Sequence, residues 1–182
     1  MAMAKRIFDP ATLMYPLPVV LLSCCNREGK LNIITLAWAG VSASEPPMIT
    51  VGIRPSRYSY SMVCEVRDFV INVPSEDQIE AVDLCGTKSG RDVDKFAACH
   101  FTPVTGKAVQ SPLIQECTLN LECVVRHQVS AGSHGIFMGE VVAVHVDESI
   151  ADERGLPDPA KHRPVLLHRG SYHGLGHLLR KR

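Results

Sequence analysis

Pro18-Val19-Val20-Leu21-Leu22-Ser23-Cys24-Cys25-Asn26-Arg27-Glu28-Gly29-Lys30-Leu31-Asn32-Ile33-Ile34-Thr35-Leu36-Ala37-Trp38 is the stretch that decides the fold. Two runs rich in Val, Ile, Leu and Thr are separated by Asn26-Arg27-Glu28-Gly29, which has hairpin chemistry, so antiparallel strands are predicted over 18–25 and 30–38. A third strand, 48–53, follows the stiff break Ser44-Glu45-Pro46-Pro47. Further strands are expected at 68–73, at 118–128 and 136–146 joined by a turn-like 129–135, and at 164–167 with Tyr172 beyond. Helical signals are short. Ser56 is an N-cap candidate ahead of Tyr58, Met62 and Val66, and Ser75-Glu76-Asp77-Gln78 is a capping box for a helix over 76–84, ended by Cys85-Gly86. Residues 86–96 read as a loop. Five to seven strands with two short helices make a mainly β chain, and suit a barrel better than a doubly wound sheet.

The totals narrow the function. A chain of 182 residues with 46% hydrophobic and 21% charged side chains suits one globular domain, taken as 1–182. Nineteen basic and nineteen acidic residues cancel, which argues against nucleic acid or an anionic membrane as partner and leaves a small molecule or another protein. Seven cysteines, an odd number set in apolar runs, read as reduced thiols in a cytoplasmic protein. There is no Cys-x-x-Cys and no histidine pair at a zinc-like spacing, so no metal is expected. Leu22-Ser23-Cys24 after Lys5 and Arg6 faintly resembles a lipoprotein cleavage site. Pro16 and Pro18 interrupt the short apolar run, which favours a buried first strand instead. No stretch approaches the roughly 20 apolar residues that cross a bilayer.

Three places could carry chemistry. Alternation puts Ile33, Thr35, Ala37 and Ala39 on one strand face, and three of the four are small. A flat ligand could lie there against backbone amides, although packing against a sheet or a dimer partner would use the same face. Arg54-Pro55-Ser56-Arg57-Tyr58-Ser59 offers hydroxyls and a guanidinium at a helix N-terminus, a natural phosphate site. Lys88-Ser89-Gly90-Arg91 is a second basic loop that could converge on the same phosphate, or both could be solvated surface. His134 stands in the glycine-rich Gly132-Ser133-His134-Gly135, where it could reach a ligand or remain idle. Neither a nucleophile elbow, a P-loop nor a Rossmann glycine pattern is present.

Read together, these segments resemble the flavin reductase-like, FMN-binding split-barrel family. The resemblance rests on an Asn-x-x-Thr-x-Ala-Trp strand (Asn32, Thr35, Ala37, Trp38), Pro46-Pro47, the Ser56-to-Ser59 loop and Phe69-Val70-Ile71-Asn72-Val73. It continues through Cys85-Gly86-x-x-Ser89-Gly90-Arg91-Asp92-Val93-Asp94-Lys95-Phe96, the glycine-His turn with Gly139-Glu140-Val141, and a segment from Pro164 to Tyr172. It covers about residues 15–176, leaving 177–182 as a tail. The resemblance implies a Greek-key split β-barrel, a homodimer, non-covalent FMN and NADH or NADPH as hydride donor. A monooxygenase or redox protein would be the onward partner. It places Thr35, Ala37 and Trp38 along the isoalloxazine with Asn32 supporting the same strand, and Ser56, Arg57 and Ser59, with Ser89 and Lys95, on the phosphate side. Leu36, Tyr58, Asn72, Cys85, Gly86 and Gly90 complete the implied cofactor set, and His134 would lie where nicotinamide stacks. An alternative is a flavoredoxin-type FMN electron carrier reduced by a protein. Ser133, in place of the family's aspartate, and His168-Arg169 with Ser171 depart from the pattern on the nicotinamide side.

Overall fold

The computed structural model describes residues 4–158 and 160–180; the ends of the expected 1–182 span, with the last two tail residues, lie outside them. In chain order the elements are β1 (Leu17–Pro18), β2 (Val20–Cys25), β3 (Leu31–Leu36), β4 (Ala39–Ser44), β5 (Pro47–Ile53), α1 (Tyr58–Val66) and β6 (Asp68–Val73). Then come α2 (Ile79–Thr87), α3 (Lys95–Ala98), β7 (Pro103–Val104), β8 (Leu113–Ile114), β9 (Leu119–Ala131), β10 (His134–Val146), β11 (Val165–His168) and β12 (Ser171–Gly174).

Seven strands form one antiparallel sheet in the order β3-β2-β6-β9-β10-β5-β4. Its two edges are β3 and β4, which are consecutive in the chain and joined only by Ala37 and Trp38. The sheet therefore curls until its edges meet at that corner without pairing, which is the split of a split β-barrel. The β2–β3 hairpin forms as its turn residues dictate: the Asn26 side chain accepts from the Glu28 and Lys30 amides, and Gly29 takes φ +80°.

Alternation decides the packing. Val20, Leu22, Cys24, Ile34 and Leu36 point into a core with Phe69, Val125 and Phe137. Val19, Leu21 and Ile33 point the other way, into a second core with Val82, Cys85, Phe96, Phe101 and Ile114. With both faces covered, the strand needs no polar stripe, which is why it reads as one apolar run.

Several boundaries differ from the expectations. The predicted strand over 30–38 stops at Leu36, and Ala39 opens β4, an edge strand hidden in the small residues Ala39-Gly40-Val41-Ser42-Ala43-Ser44. Ala39 therefore does not share a continuous face with Ile33 and Thr35. The first helix starts at Tyr58 with Arg57, not Ser56, at its cap and no side-chain capping bond. The capping box at Ser75 is present, but it opens a 3-10 turn over Glu76–Gln78 before α2. That helix runs through Cys85-Gly86 to Thr87, because Gly86 interrupts no hydrogen bonds and faces a close neighbour. The loop over 86–96 ends in α3, capped by Asp94 accepting from the Ala97 amide. The 129–135 turn shrinks to Gly132-Ser133, with Gly132 at φ +56°, so His134 is a strand residue.

Candidate functional site

Two adjoining recesses lie along the split. The first, about 470 Å³, is lined by Ile34, Thr35, Leu36, Ala37 and Trp38 from the end of β3 and the corner, facing Gly52, Arg54 and His134. Gly86 and Thr87 of α2 form its inner end. The second, about 180 Å³, is lined by Asn32, Ser56, Arg57, Tyr58, Ser59, Cys85, Ser89, Gly90 and Lys95. Ile34, Arg57 and Gly86 border both, so the two make one elongated site. Because β3 is a sheet edge, its outer amides are not spent on a neighbouring strand. The groove therefore offers backbone donors and acceptors to the rim of a flat ligand.

Glycine sets the width. A Cβ at Gly86 would stand 3.3 Å from Thr35 Cβ, so its absence lets α2 approach β3 while leaving space at the recess. Thr35 Oγ1 donates to the Val82 carbonyl at 2.6 Å, which spends the hydroxyl on holding α2 rather than on a ligand. Gly90 is more constrained: a Cβ there would stand 2.0 Å from Asn32 Oδ1. Asn32 itself is buried and donates to Ser59 Oγ at 2.8 Å, tying β3 to the first turn of α1.

The smaller recess carries four cationic side chains, Arg57, Lys88, Arg91 and Lys95, and no carboxylate. Lys95 is the telling one. It is 4% exposed, and its Nζ donates to the carbonyls of Ile33 and Cys85, each at 2.7 Å. An ammonium has three N–H groups, so one remains for the recess. Burial pulls its pKa below the usual lysine value. Among the described residues no acidic side chain pairs with it. A buried charge without a counter-charge is costly, and a bound anion removes the cost. Lys88 and Arg91, outside the implied cofactor set, join this cluster as the two loops converge.

At the other end the Trp38 and His134 rings stack, with centroids 5.8 Å apart and planes 13° from parallel. Trp38 is 50% exposed, so the pair presents an aromatic surface at the mouth. Ser133 Oγ lies 2.9 Å from His134 Nδ1. Burial, then the Arg54 charge, pull the His134 pKa below the usual histidine value, so the ring is neutral at pH 7. Gly52 makes the stack possible, since a Cβ there would come 3.2 Å from Trp38 Cβ. Nothing in the sequence around Gly52 singles it out, and Arg54, which opens the phosphate-loop segment, gives no sign there that its charge reaches His134.

Asn72 does not join the site. Wholly buried on β6, it donates to Leu21 O and Ser23 Oγ and accepts from the Ile114 amide and Asn120. Its amide nitrogen is spent on β2 and its oxygen on fixing the 111–120 segment, so it is a fold residue. Cys85 lines the recess mainly through its carbonyl, with burial pushing its thiol above the usual range. A further cavity, about 690 Å³, lies beyond Trp38 and has a mostly apolar lining without a charged group.

The flavin reductase-like domain model matches residues 12–176. The chain belongs to the flavin reductase-like family. This membership places its function in flavin redox chemistry. Within the family, the chain is similar in structure to flavoredoxin of Desulfovibrio vulgaris, with TM-score 0.92 and 36% identity over 98% of this chain and 97% of that one. It is also similar to flavoredoxin from Methanosarcina acetivorans, with TM-score 0.90 and 34% identity over 99% and 95% of the two chains. In sequence it is 26% identical to the NADH:riboflavin 5'-phosphate oxidoreductase of Streptomyces pristinaespiralis, over 94% of this chain and 89% of that one. Among the described residues no helix is long and apolar enough to cross a membrane.

Proposed function

We propose that this chain binds FMN non-covalently and works as an NAD(P)H-dependent flavin reductase. The observation that carries the reading is Lys95, a buried ammonium without an acidic partner, at the closed end of a groove bordered by an unpaired strand edge. A phosphate bearing close to two negative charges answers that ammonium, with Arg57, Ser56, Ser59 and Ser89 around it. The recess and groove thus match a ligand with an anionic tail and a flat heterocyclic head.

When bound, FMN supplies two-electron chemistry, taking a hydride from NADH or NADPH. The chain's own residues bind and orient. Arg57 and Lys95 fix the tail, and the 34–38 backbone holds the head against the barrel edge. The Trp38–His134 pair walls the mouth, where a second ring would stack, and neutral His134 places no positive charge against the positive charge that a dihydronicotinamide would develop as its hydride leaves. No side chain is needed as acid or base, which fits the lack of a catalytic pair in the sequence.

The apolar side chains Val41, Val142 and Val144, exposed along β4 and β10, suit a homodimer face. The cytoplasm is the compartment that fits seven unpaired thiols. Likeness to two flavoredoxins favours a second reading, an FMN electron carrier reduced by a protein partner. Anaerobic addition of NADH, then NADPH, to the FMN-loaded chain separates the two. Rapid loss of the visible flavin band supports the reductase; a band that persists with both donors supports the carrier.

A further inference from the structure

Cys85 stands in the last turn of α2, and Cys99 is the residue that ends α3. Their sulfurs lie 3.7 Å apart, and among the described residues no other two thiols meet in this way. Cys85 is buried and Cys99 half-buried, so a small oxidant from solvent reaches Cys99 first. Lys95 stands one turn before Cys99, and its Nζ donates to the Cys85 carbonyl, so the ammonium and the two thiols form one cluster. Burial pushes both thiols above the usual range, and the Lys95 charge works against it. Cys117 belongs to the same core, but its sulfur is turned to the Gln78 side-chain oxygen at 3.7 Å.

The pair brackets residues 86–98, which carry Lys88, Ser89, Gly90, Arg91 and Lys95, the whole of the second loop of the phosphate recess. The backbone hydrogen bonds of that loop are local: the Asp92 and Val93 amides both donate to the Ser89 carbonyl. A covalent tie across its ends would remove many of the open arrangements such a segment can take.

We infer that Cys85 and Cys99 are a redox-active dithiol, a site where hydrogen peroxide forms a reversible disulfide that staples the second phosphate loop in place. The Cys99 sulfur, as thiolate, attacks one peroxide oxygen; the O–O bond breaks, the second oxygen leaves as water, and Cys99 becomes a sulfenic acid. The Cys85 sulfur then attacks the Cys99 sulfur, the S–S bond forms, and the S–O bond breaks to release a second water. Two thiols lose two protons and two electrons, and one peroxide is reduced to two waters. A disulfide needs its sulfurs about 2 Å apart, so a modest further approach turns the present contact into a bond. Because burial keeps both thiols protonated, the bridge answers sustained oxidant rather than a brief pulse. The chemistry at sulfur goes beyond the flavin reading and does not depend on it.

The test treats the reduced, full-length chain with hydrogen peroxide, blocks the remaining thiols and maps the peptides. The thiol count in denaturant should fall from seven to five, the peptides holding Cys85 and Cys99 should be linked, and dithiothreitol should restore seven. Cys99→Ser should keep its other thiols through the same treatment. The bridged chain should release FMN at least about threefold more slowly than the reduced chain, a difference that Cys99→Ser abolishes. Seven thiols that persist, a linkage between other cysteines, or FMN release unaltered by the bridge overturns the inference. If FMN binds neither form, the flavin reading falls alone, and trypsin cleavage after the exposed Lys88 and Arg91 takes over as the measure of the staple. Slower cleavage in the bridged chain then supports the inference, and equal cleavage overturns it.

Discussion

The ammonium of Lys95 and the carbonyl oxygen of Ile33 are 2.7 Å apart, so a charge from α3 is planted in the strand whose next residues form the flavin groove. That contact joins the two ends of the site. The grip on an anionic tail and the position of the strand edge depend on one side chain.

Replacing Lys95 with methionine keeps the apolar stem and removes the charge. FMN affinity should fall by about 1.5 to 3 kcal/mol, the range for a charged hydrogen bond. Thermal stability of the flavin-free chain should change much less, because the lost bonds to Ile33 and Cys85 are offset by removal of an unpaired buried charge. Isothermal titration with FMN and a melting curve would check both; equal FMN affinity would take Lys95 out of the site.

Arg57→Ala should likewise weaken FMN binding by about 1.5 to 3 kcal/mol without altering the fold, since Arg57 is exposed and caps no helix through its side chain. Fluorescence titration reads the loss, and unchanged affinity would place the guanidinium outside the cofactor's reach.

Gly90→Ala tests the convergence of the loops. The added methyl would drive Asn32 from Ser59, so FMN affinity should drop at least about tenfold. An alanine variant that binds as the natural chain does would show that the loop yields freely.

His134→Ala should slow nicotinamide oxidation more than it weakens FMN retention, because the ring lies at the mouth and away from the phosphate recess. Stopped-flow reduction beside an FMN titration separates the two effects. A variant that loses FMN but keeps its reduction rate contradicts the placement.

Acid should destabilise the fold through Glu122. This carboxylate is 0% exposed, accepts from the Lys107, Ala108 and Val109 amides, and lies 2.6 Å from His145 Nε2. Burial alone would push its pKa up, but the His145 and backbone hydrogen bonds hold it below the usual carboxylate value. The unfolded chain therefore takes up the proton first, so the stabilisation is fully present above the ordinary glutamate range and is lost as pH falls through the lower folded value. His134 and His162, both held below the usual histidine value by burial, act in the same direction at somewhat higher pH. Urea midpoints should decline on acidification, and Glu122→Gln should be destabilised at pH 7 by about 1 to 3 kcal/mol for each amide left unpaired.

The sequence made the barrel legible because its strongest signals are local. Asn26 to Gly29 closes a hairpin by its own chemistry, and the apolar run of β2 reflects cover on both faces. The edge strand β4 escaped notice since Gly, Ser and Ala hide a strand that owes its form to pairing with β5. The phosphate loops could be read because serine, glycine and basic residues cluster within a few positions. The role of Asn72 could not: a motif asparagine in a strand looks the same whether it faces a ligand or, as here, spends its nitrogen on β2 and its oxygen on the 111–120 segment. Gly52 is equally silent, and Arg54 is legible only as the start of the phosphate loop, because the contribution of both to the mouth comes from meeting Trp38 and His134 across the closed sheet.

The most direct test of the account is a titration of the flavin-free chain with FMN, followed by fluorescence and repeated with riboflavin, which lacks the phosphate. Saturable quenching by FMN, at least about tenfold weaker for riboflavin, is the predicted result. FMN fluorescence that stays constant at every protein concentration, or riboflavin bound as tightly as FMN, would contradict it.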